Sequence, residues 1–249
     1  KNAFFDLVLY VNGIPLVVIE CKRPDPHNPK KDMLGVGISQ QIRNQRSDEI
    51  PSLFAYSQIL LSVDSRDGRY ATAGTPRKFW SLWREEDIDK QAITQAKNTQ
   101  LSADVMGRIF DHRPAEFRDY FDRLLAQGAL LPSGQDKLIV SLLCKGRLLE
   151  LTRRFVVFDR KHGKLIARYH QFFGVRRLMG RVKRKTPAGQ RDGGVIWHTT
   201  GSGKSLTMVF MATGMILDPE LKACRFLVVT DRVDLEDQLA RVFANAGVL

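Results

Sequence analysis

Two groups of residues in this chain have types and spacings that could do chemistry. Asp6 is followed by Glu20-Cys21-Lys22. Two carboxylates brought to one strand end can hold a hard cation such as Mg²⁺ through oxygen ligands. Lys22 stands two residues from Glu20, so both project from one face of a strand. A cation, a water it activates and a nearby ammonium are the components of phosphodiester hydrolysis. The second group is His198-Thr199-Thr200-Gly201-Ser202-Gly203-Lys204-Ser205. It matches Gly-x-x-x-x-Gly-Lys-Ser/Thr except at its first position, where His198 replaces glycine. Such a loop curls backbone N–H groups around phosphate oxygens at a helix N-terminus. Gly201 and Gly203 permit the backbone conformations and close approach that a side chain blocks. Lys204 is expected at the β- and γ-phosphates and Ser205 at a bound Mg²⁺. Thr200, Gly201, Ser202, Gly203, Lys204 and Ser205 are thus the candidate ATP-binding residues, with ATP and Mg²⁺ as cofactors.

The elements around these residues must position them. Residues 4–11 and 14–21 read as a hairpin joined by Asn12-Gly13, the strongest short hairpin signal. A strict two-residue turn pairs Asp6 with Ile19 and leaves Asp6 on the face opposite Glu20. A shared metal requires one extra residue, so a three-residue or bulged connection is predicted, with Gly13 as its left-handed residue. A helix is expected over residues 32–45, carrying Gln41 toward the metal or the DNA backbone, and a strand over 54–63. Helical periodicity runs from 79 to 131. Phe117, Tyr120, Phe121, Leu124 and Leu125 have the spacing of a buried stripe. Residues 138–158 read as apolar helix. Residues 194–197 read as a short buried strand before the phosphate loop, 206–217 as the helix after it, and 225–230 as a second strand. This alternation is the α/β pattern. Arg232 follows that second strand, where a phosphate contact or a helix-start ion pair would both fit.

Length, charge and cysteine usage bound the class. The 249 residues permit one large domain or two ordinary ones. With 39 Lys+Arg against 27 Asp+Glu the formal charge is +12, which points to a polyanionic partner. Arg176 to Arg191 is basic and free of acidic residues, and it stands just before the phosphate loop. Arg181, Lys183, Arg184 and Lys185 within it are candidate DNA contacts. No apolar run approaches the length of a membrane span. Cys21, Cys144 and Cys224 are scattered and show no metal-ligand spacing. No signal-peptide pattern opens the chain, so a cytoplasmic location is expected.

Taken together, the two motifs resemble the restriction (R) subunit of type I restriction–modification enzymes. Trp197-His198-Thr199-Thr200-Gly201-Ser202-Gly203-Lys204-Ser205 is similar to that family's helicase motif I, in which a histidine at position 198 is usual. Val229-Thr230-Asp231-Arg232-Val233-Asp234-Leu235-Glu236-Asp237-Gln238 resembles its next helicase motif. Asp6 with Glu20-Cys21-Lys22 resembles its PD-(D/E)xK nuclease motif. The resemblance implies an α/β fold in two parts. Residues 1–135 would form a PD-(D/E)xK nuclease-like mixed sheet with flanking helices. Residues 136–249 would begin a RecA-like, superfamily 2 helicase domain with a parallel sheet. Asp6 and Glu20 would bind Mg²⁺, Lys22 would be the catalytic lysine, and Gln41 would match the glutamine of a Gln-x-x-x-Tyr motif whose tyrosine is here Gln45. Gln171 would read the adenine ring. The family couples ATP-driven translocation of double-stranded DNA to its cleavage, with methyltransferase and specificity subunits as partners.

Two other classes stay open at this level. One is an ATP-driven helicase, remodeller or type III restriction enzyme with an inactive nuclease-like module. The other is an N-terminal docking platform for partner subunits. The chain lacks an initial Met, and only two parallel strands follow residue 193. A truncated motor that binds nucleotide weakly without hydrolysing ATP is the expectation.

Overall fold

A computed structural model describes residues 4–86, 88–231 and 233–248. The chain begins with strands β1 (Leu7–Val11) and β2 (Ile14–Lys22), then helices α1 (Met33–Asn44) and α2 (Pro51–Tyr56), then strands β3 (Ile59–Asp64) and β4 (Gly68–Ala71). Helices α3 (Lys90–Lys97), α4 (Ala103–Phe110), α5 (Ala115–Ala126), α6 (Gly134–Leu143) and α7 (Lys145–Arg154) follow. A small antiparallel pair, β5 (Val156–Asp159) and β6 (Gly163–Ile166), leads to α8 (Tyr169–Lys183), α9 (Lys204–Ile216) and α10 (Val233–Asn245).

The first sheet has the order β1-β2-β3-β4. β1 runs antiparallel to β2, β2 parallel to β3, and β3 antiparallel to β4. A parallel pair needs a crossover, and α1 with α2 supplies it. Asp32 starts α1 by accepting the Gly35 N–H at 2.8 Å. Pro51 begins α2, so Phe54, expected in a strand, is helical and buried. Alternation along β2 sends Val18 to the α1 face, with Ile38, Phe54, Leu60 and Trp80. It sends Val17 and Ile19 to the opposite face, in a core with Leu142, Leu151, Phe172 and Phe210. That core is continuous across the 135/136 boundary expected from sequence.

Several expected elements differ. Residues 194–197 and 225–230 form no strand among the described residues. Val195, Trp197 and Leu227 are 92%, 90% and 89% exposed. Apolar strands of this kind belong to a parallel sheet covered on both faces, and here no neighbouring strands cover them. No parallel RecA-like sheet is therefore formed among the described residues. Residues 156–158, expected to be helical, belong to β5. The stripe on α5 is not core: Phe117 is 50% exposed and Tyr120 is also exposed, while Phe121 meets Phe110 with ring centroids 5.6 Å apart. No helix among the described residues is long and apolar enough to cross a membrane.

Candidate active site and phosphate loop

The geometry of the first site is set by the register of β1 on β2. Asn12 (φ 50°) and Gly13 (φ 80°) form a tight two-residue turn, closed by Val11 opposite Ile14. Asn and Gly are the residues that tolerate these left-handed angles. The turn alone would leave Asp6 facing Ile19. The register then shifts: Tyr10 faces Pro15, but Leu9 faces Val17. Leu16 is the extra residue of a β-bulge. Pro15 has no N–H to give to the ladder, so a bulge is a natural place for it. The Leu16 carbonyl is satisfied by the Gln58 N–H at 2.8 Å. From the bulge onward the pairing is Leu7 with Ile19, which brings Asp6 opposite Glu20. The extra residue that the sequence demanded is present, in the strand and not in the connection. Asp6 lies in a bend just ahead of β1, not within it.

Asp6 Oδ2 accepts the Cys21 N–H at 2.7 Å. Glu20 is only 2% exposed. Burial pushes its carboxyl above the usual range, the Lys22 hydrogen bond pulls it back, and the Asp6 charge raises it again. Lys22 Nζ bonds Glu20 Oε1 and donates to Gln40 Oε1 at 2.9 Å. Asp6, Glu20 and Lys22 therefore converge. α1 can press onto them because Gly37 has no side chain. A Cβ there would stand 2.3 Å from Ser62 Oγ and 3.4 Å from both Glu20 Cγ and Lys22 Cγ.

Gln41 is placed elsewhere. It is buried, and its Nε2 donates to the Val18 and Leu61 carbonyls at 3.1 and 3.0 Å. It ties the two central strands together from beneath, and the glutamine that reaches the ammonium is its neighbour Gln40. Gln40 is not among the residues that the sequence motifs single out. The phase of α1 set by the buried Ile38 and Gln41 is the signal that could have found it. Gln45, in the place of the family's tyrosine, donates to the Gln41 carbonyl at 3.0 Å and accepts the Gly74 N–H at 2.7 Å.

The oxygen donor set of Asp6 and Glu20 suits Mg²⁺, which is held by one or two carboxylates and keeps several waters. The Asp6–Glu20 repulsion is the kind that a cation between them relieves. No group of three or more His, Cys, Asp or Glu with ligand geometry occurs among the described residues, so two carboxylates are the available protein anchors.

At the second site, Gly201 (φ 77°) and Gly203 (φ 87°) adopt left-handed angles, and Gly203 caps the N-terminus of α9. Lys204 and Ser205 open that helix, which places their N–H groups among its unpaired donors. Thr199 and Ser202 close the turn, with Ser202 Oγ donating to the Thr199 carbonyl at 2.7 Å. α8 supports the loop from behind. His170 Nε2 lies 3.2 Å from the Ser202 carbonyl, and Gln171 Nε2 donates to the Gly203 carbonyl at 3.1 Å. Gln171 Oε1 accepts the Arg168 N–H at 2.8 Å. Expected to read a base, Gln171 instead spends both ends on the backbone. His198 packs edge-on against His170, and burial lowers its imidazole, aided by the His170 and Lys204 charges. Thr200 is exposed in the turn. A cleft of about 930 Å³ borders the loop, lined by His170, Arg176, Arg177, Arg181, Trp197 and Ser202 among others.

The basic stretch is largely neutralised. Arg181 and Arg184 pair with Asp192 at 3.2 and 3.0 Å, and Lys183 with Asp218 and Glu220 at 2.7 and 3.2 Å. Of the four candidate DNA contacts, Lys185 alone has no ion pair among the described residues. Arg232 lies outside the described residues.

Comparison with known proteins finds matches to two segments of the chain. Residues 1–79, which hold Asp6, Glu20 and Lys22, match the family model for the type I restriction enzyme R protein N terminus. Residues 170–248, which hold the phosphate loop, match that for the SWI2/SNF2 ATPase. The type I restriction enzyme HindI endonuclease subunit of Haemophilus influenzae is 32% identical over 248 residues, covering 96% of this chain and 20% of that protein. The putative type I restriction enzyme MjaIXP endonuclease subunit of Methanocaldococcus jannaschii is 29% identical over 250 residues, covering 96% of this chain and 21% of that protein. The chain thus spans about one fifth of the length of the curated relatives it matches. With both segments in this order and similarity running through nearly the whole chain, it is similar to the first part of type I restriction enzyme endonuclease subunits.

Proposed function

We propose that Asp6, Glu20 and Lys22 form a Mg²⁺-dependent site for hydrolysing DNA phosphodiesters. The observation that carries this reading is the bulge at Leu16, which sets Asp6 opposite Glu20 beside the Lys22 ammonium. Asp6 and Glu20 would hold the cation through carboxylate oxygens. Bound Mg²⁺ supplies Lewis acidity and a water of lowered pKa. Lys22 is steered by Glu20 and Gln40, so its positive charge is fixed where charge builds up on an attacked phosphate. Gln41 acts at one remove, by holding β2 and β3 in line.

The Gly201–Gly203 turn and Lys204 would bind the phosphates of ATP, with Ser205 toward its Mg²⁺. In the whole subunit this loop would serve a motor that moves along double-stranded DNA, working with methyltransferase and specificity subunits. The test uses the full-length subunit in its assembled complex. Lys22→Ala and Asp6→Ala should each reduce Mg²⁺-dependent DNA cleavage by about a hundredfold or more while DNA-stimulated ATPase persists. Undiminished cleavage by both variants would leave the hairpin as a docking platform.

A further inference from the structure

The outer face of α1 carries a second feature, connected to the first through Gln40. Val36, Ser39, Gln40, Arg43 and Arg46 line a groove of about 430 Å³, with Asp32, Gly35 and Arg77 as its other wall. Positions 36, 39, 40 and 43 follow helical spacing, so they form one stripe along α1. Gln40 belongs both to the groove and to the site, because its Oε1 accepts from Lys22 Nζ. The groove therefore opens beside the Lys22 ammonium.

Three guanidiniums face one carboxylate in this lining. Asp32 is already engaged, by Arg77 at 3.0 Å and by the Gly35 N–H. Arg77 lies over the bare Gly35, where a Cβ would stand 2.1 Å from its Nη2. Arg43 and Arg46 are exposed and have no ion pair among the described residues. This contrasts with Arg181, Lys183 and Arg184, whose charges are matched by Asp192, Asp218 and Glu220. Two unmatched arginines, with Arg77 paired to Asp32 beside them, suit phosphate oxygens, which guanidinium binds through paired N–H donors.

We propose that this groove holds the DNA sugar–phosphate backbone beside the bond to be cut, with Arg43, Arg46 and Arg77 contacting phosphates that flank it. The proposal rests on the nuclease reading of Asp6, Glu20 and Lys22 and adds the path by which the substrate reaches them. In this account the backbone follows α1, and the 176–191 stretch serves to fasten α8 to the segment after α9.

The test compares variants of the full-length subunit in its complex. Binding to a duplex of arbitrary sequence is measured without divalent cation across a salt series, and cleavage and ATPase are measured alongside. Arg43→Gln/Arg46→Gln/Arg77→Gln should lower the magnitude of the log–log salt slope by about 0.9 per lost contact, so by about 2 to 3. It should reduce cleavage at least about tenfold with ATPase intact. Replacing the same three residues by lysine should keep most of the slope, which separates charge from any structural role of Arg43 in the last turn of α1. Should the triple variant fold poorly, exposed Arg43→Gln alone should lower the slope by about 0.9. An unchanged slope, or a lowered slope with unchanged cleavage, overturns the proposal. Lys22→Ala run in parallel keeps the two readings apart. It should lose cleavage and lower the slope by no more than the about 0.9 of one phosphate contact, and full cleavage by Lys22→Ala refutes the nuclease reading itself.

Discussion

The hairpin sheet and the phosphate loop position their chemistry by different means. At the sheet, Glu20 and Lys22 stand on a strand paired on both sides, and Asp6 is placed by the register of β1 on β2. One extra residue, Leu16, decides which face Asp6 occupies. At the loop, the segments on either side of the turn and helix α9 form no strand among the described residues, and the shape comes from two left-handed glycines and two side chains of α8, His170 and Gln171. Register transmits error along a whole strand, because a one-residue slip moves every side chain to the other face. A glycine turn confines error to itself. The sheet site should therefore fail when its register is broken, and the loop should fail when its own residues are changed.

The largest effects should come from a crossed pair of variants. Lys22→Ala should abolish most cleavage and spare nucleotide binding. Lys204→Ala should abolish most nucleotide binding and spare divalent-cation binding at the hairpin, as read by titration calorimetry with Mn²⁺. Loss of both activities in either variant would mean that the two sites are not separable. Inserting one alanine between Asp6 and Leu7 comes next. With the bulge kept, it should move Asp6 one place along to face Cys21, carry it off the Glu20 face and weaken Mn²⁺ binding at least about tenfold, with nucleotide binding unchanged.

These variants also mark what the sequence could say. The Asn12-Gly13 turn, the helix starting at Asp32 and the Gly201–Gly203 loop were legible because each depends on a few adjacent residues. The need for an extra residue between Asp6 and Glu20 was legible from counting. Its location was not, since a bulge in the turn and a bulge at Leu16 give Asp6 the same partner. The α5 stripe had the correct spacing, but spacing does not supply a surface to pack against. The charge of Arg181, Lys183 and Arg184 looked free because Asp218 and Glu220, which join Asp192 in cancelling it, lie more than thirty residues further along the sequence. Residues 194–197 and 225–230 have the composition of buried strands, yet a strand forms only where a neighbour completes its ladder.

Smaller effects test the packing of α1. Gly37→Ala places a methyl group against Ser62 Oγ and should destabilise the fold by about 1–3 kcal/mol, measured by denaturant unfolding. A cost near zero would show that α1 is not pressed onto the site. The smallest effect concerns Glu20 without metal. Its folded-state carboxyl titrates above its ordinary range, first because of burial and then because of Asp6. A raised carboxyl means that the folded state holds the proton more tightly than the unfolded state. Stability is therefore lost as pH rises from about 4.5 through the folded value. Glu20→Gln should remove this loss and raise the metal-free melting temperature slightly at neutral pH, while eliminating the stabilisation gained on adding Mn²⁺. A lower melting temperature at neutral pH would show that the Lys22 ion pair outweighs the burial of the charge.

The central claim is that one cation joins Asp6 and Glu20 next to Lys22. Its most direct test is anomalous diffraction from a crystal of the full-length subunit soaked in Mn²⁺. The account predicts a manganese peak within coordination distance of both carboxylates, with the Lys22 ammonium beside it. A peak that touches only one of them, or an Asp6 side chain on the face opposite Glu20, would contradict it.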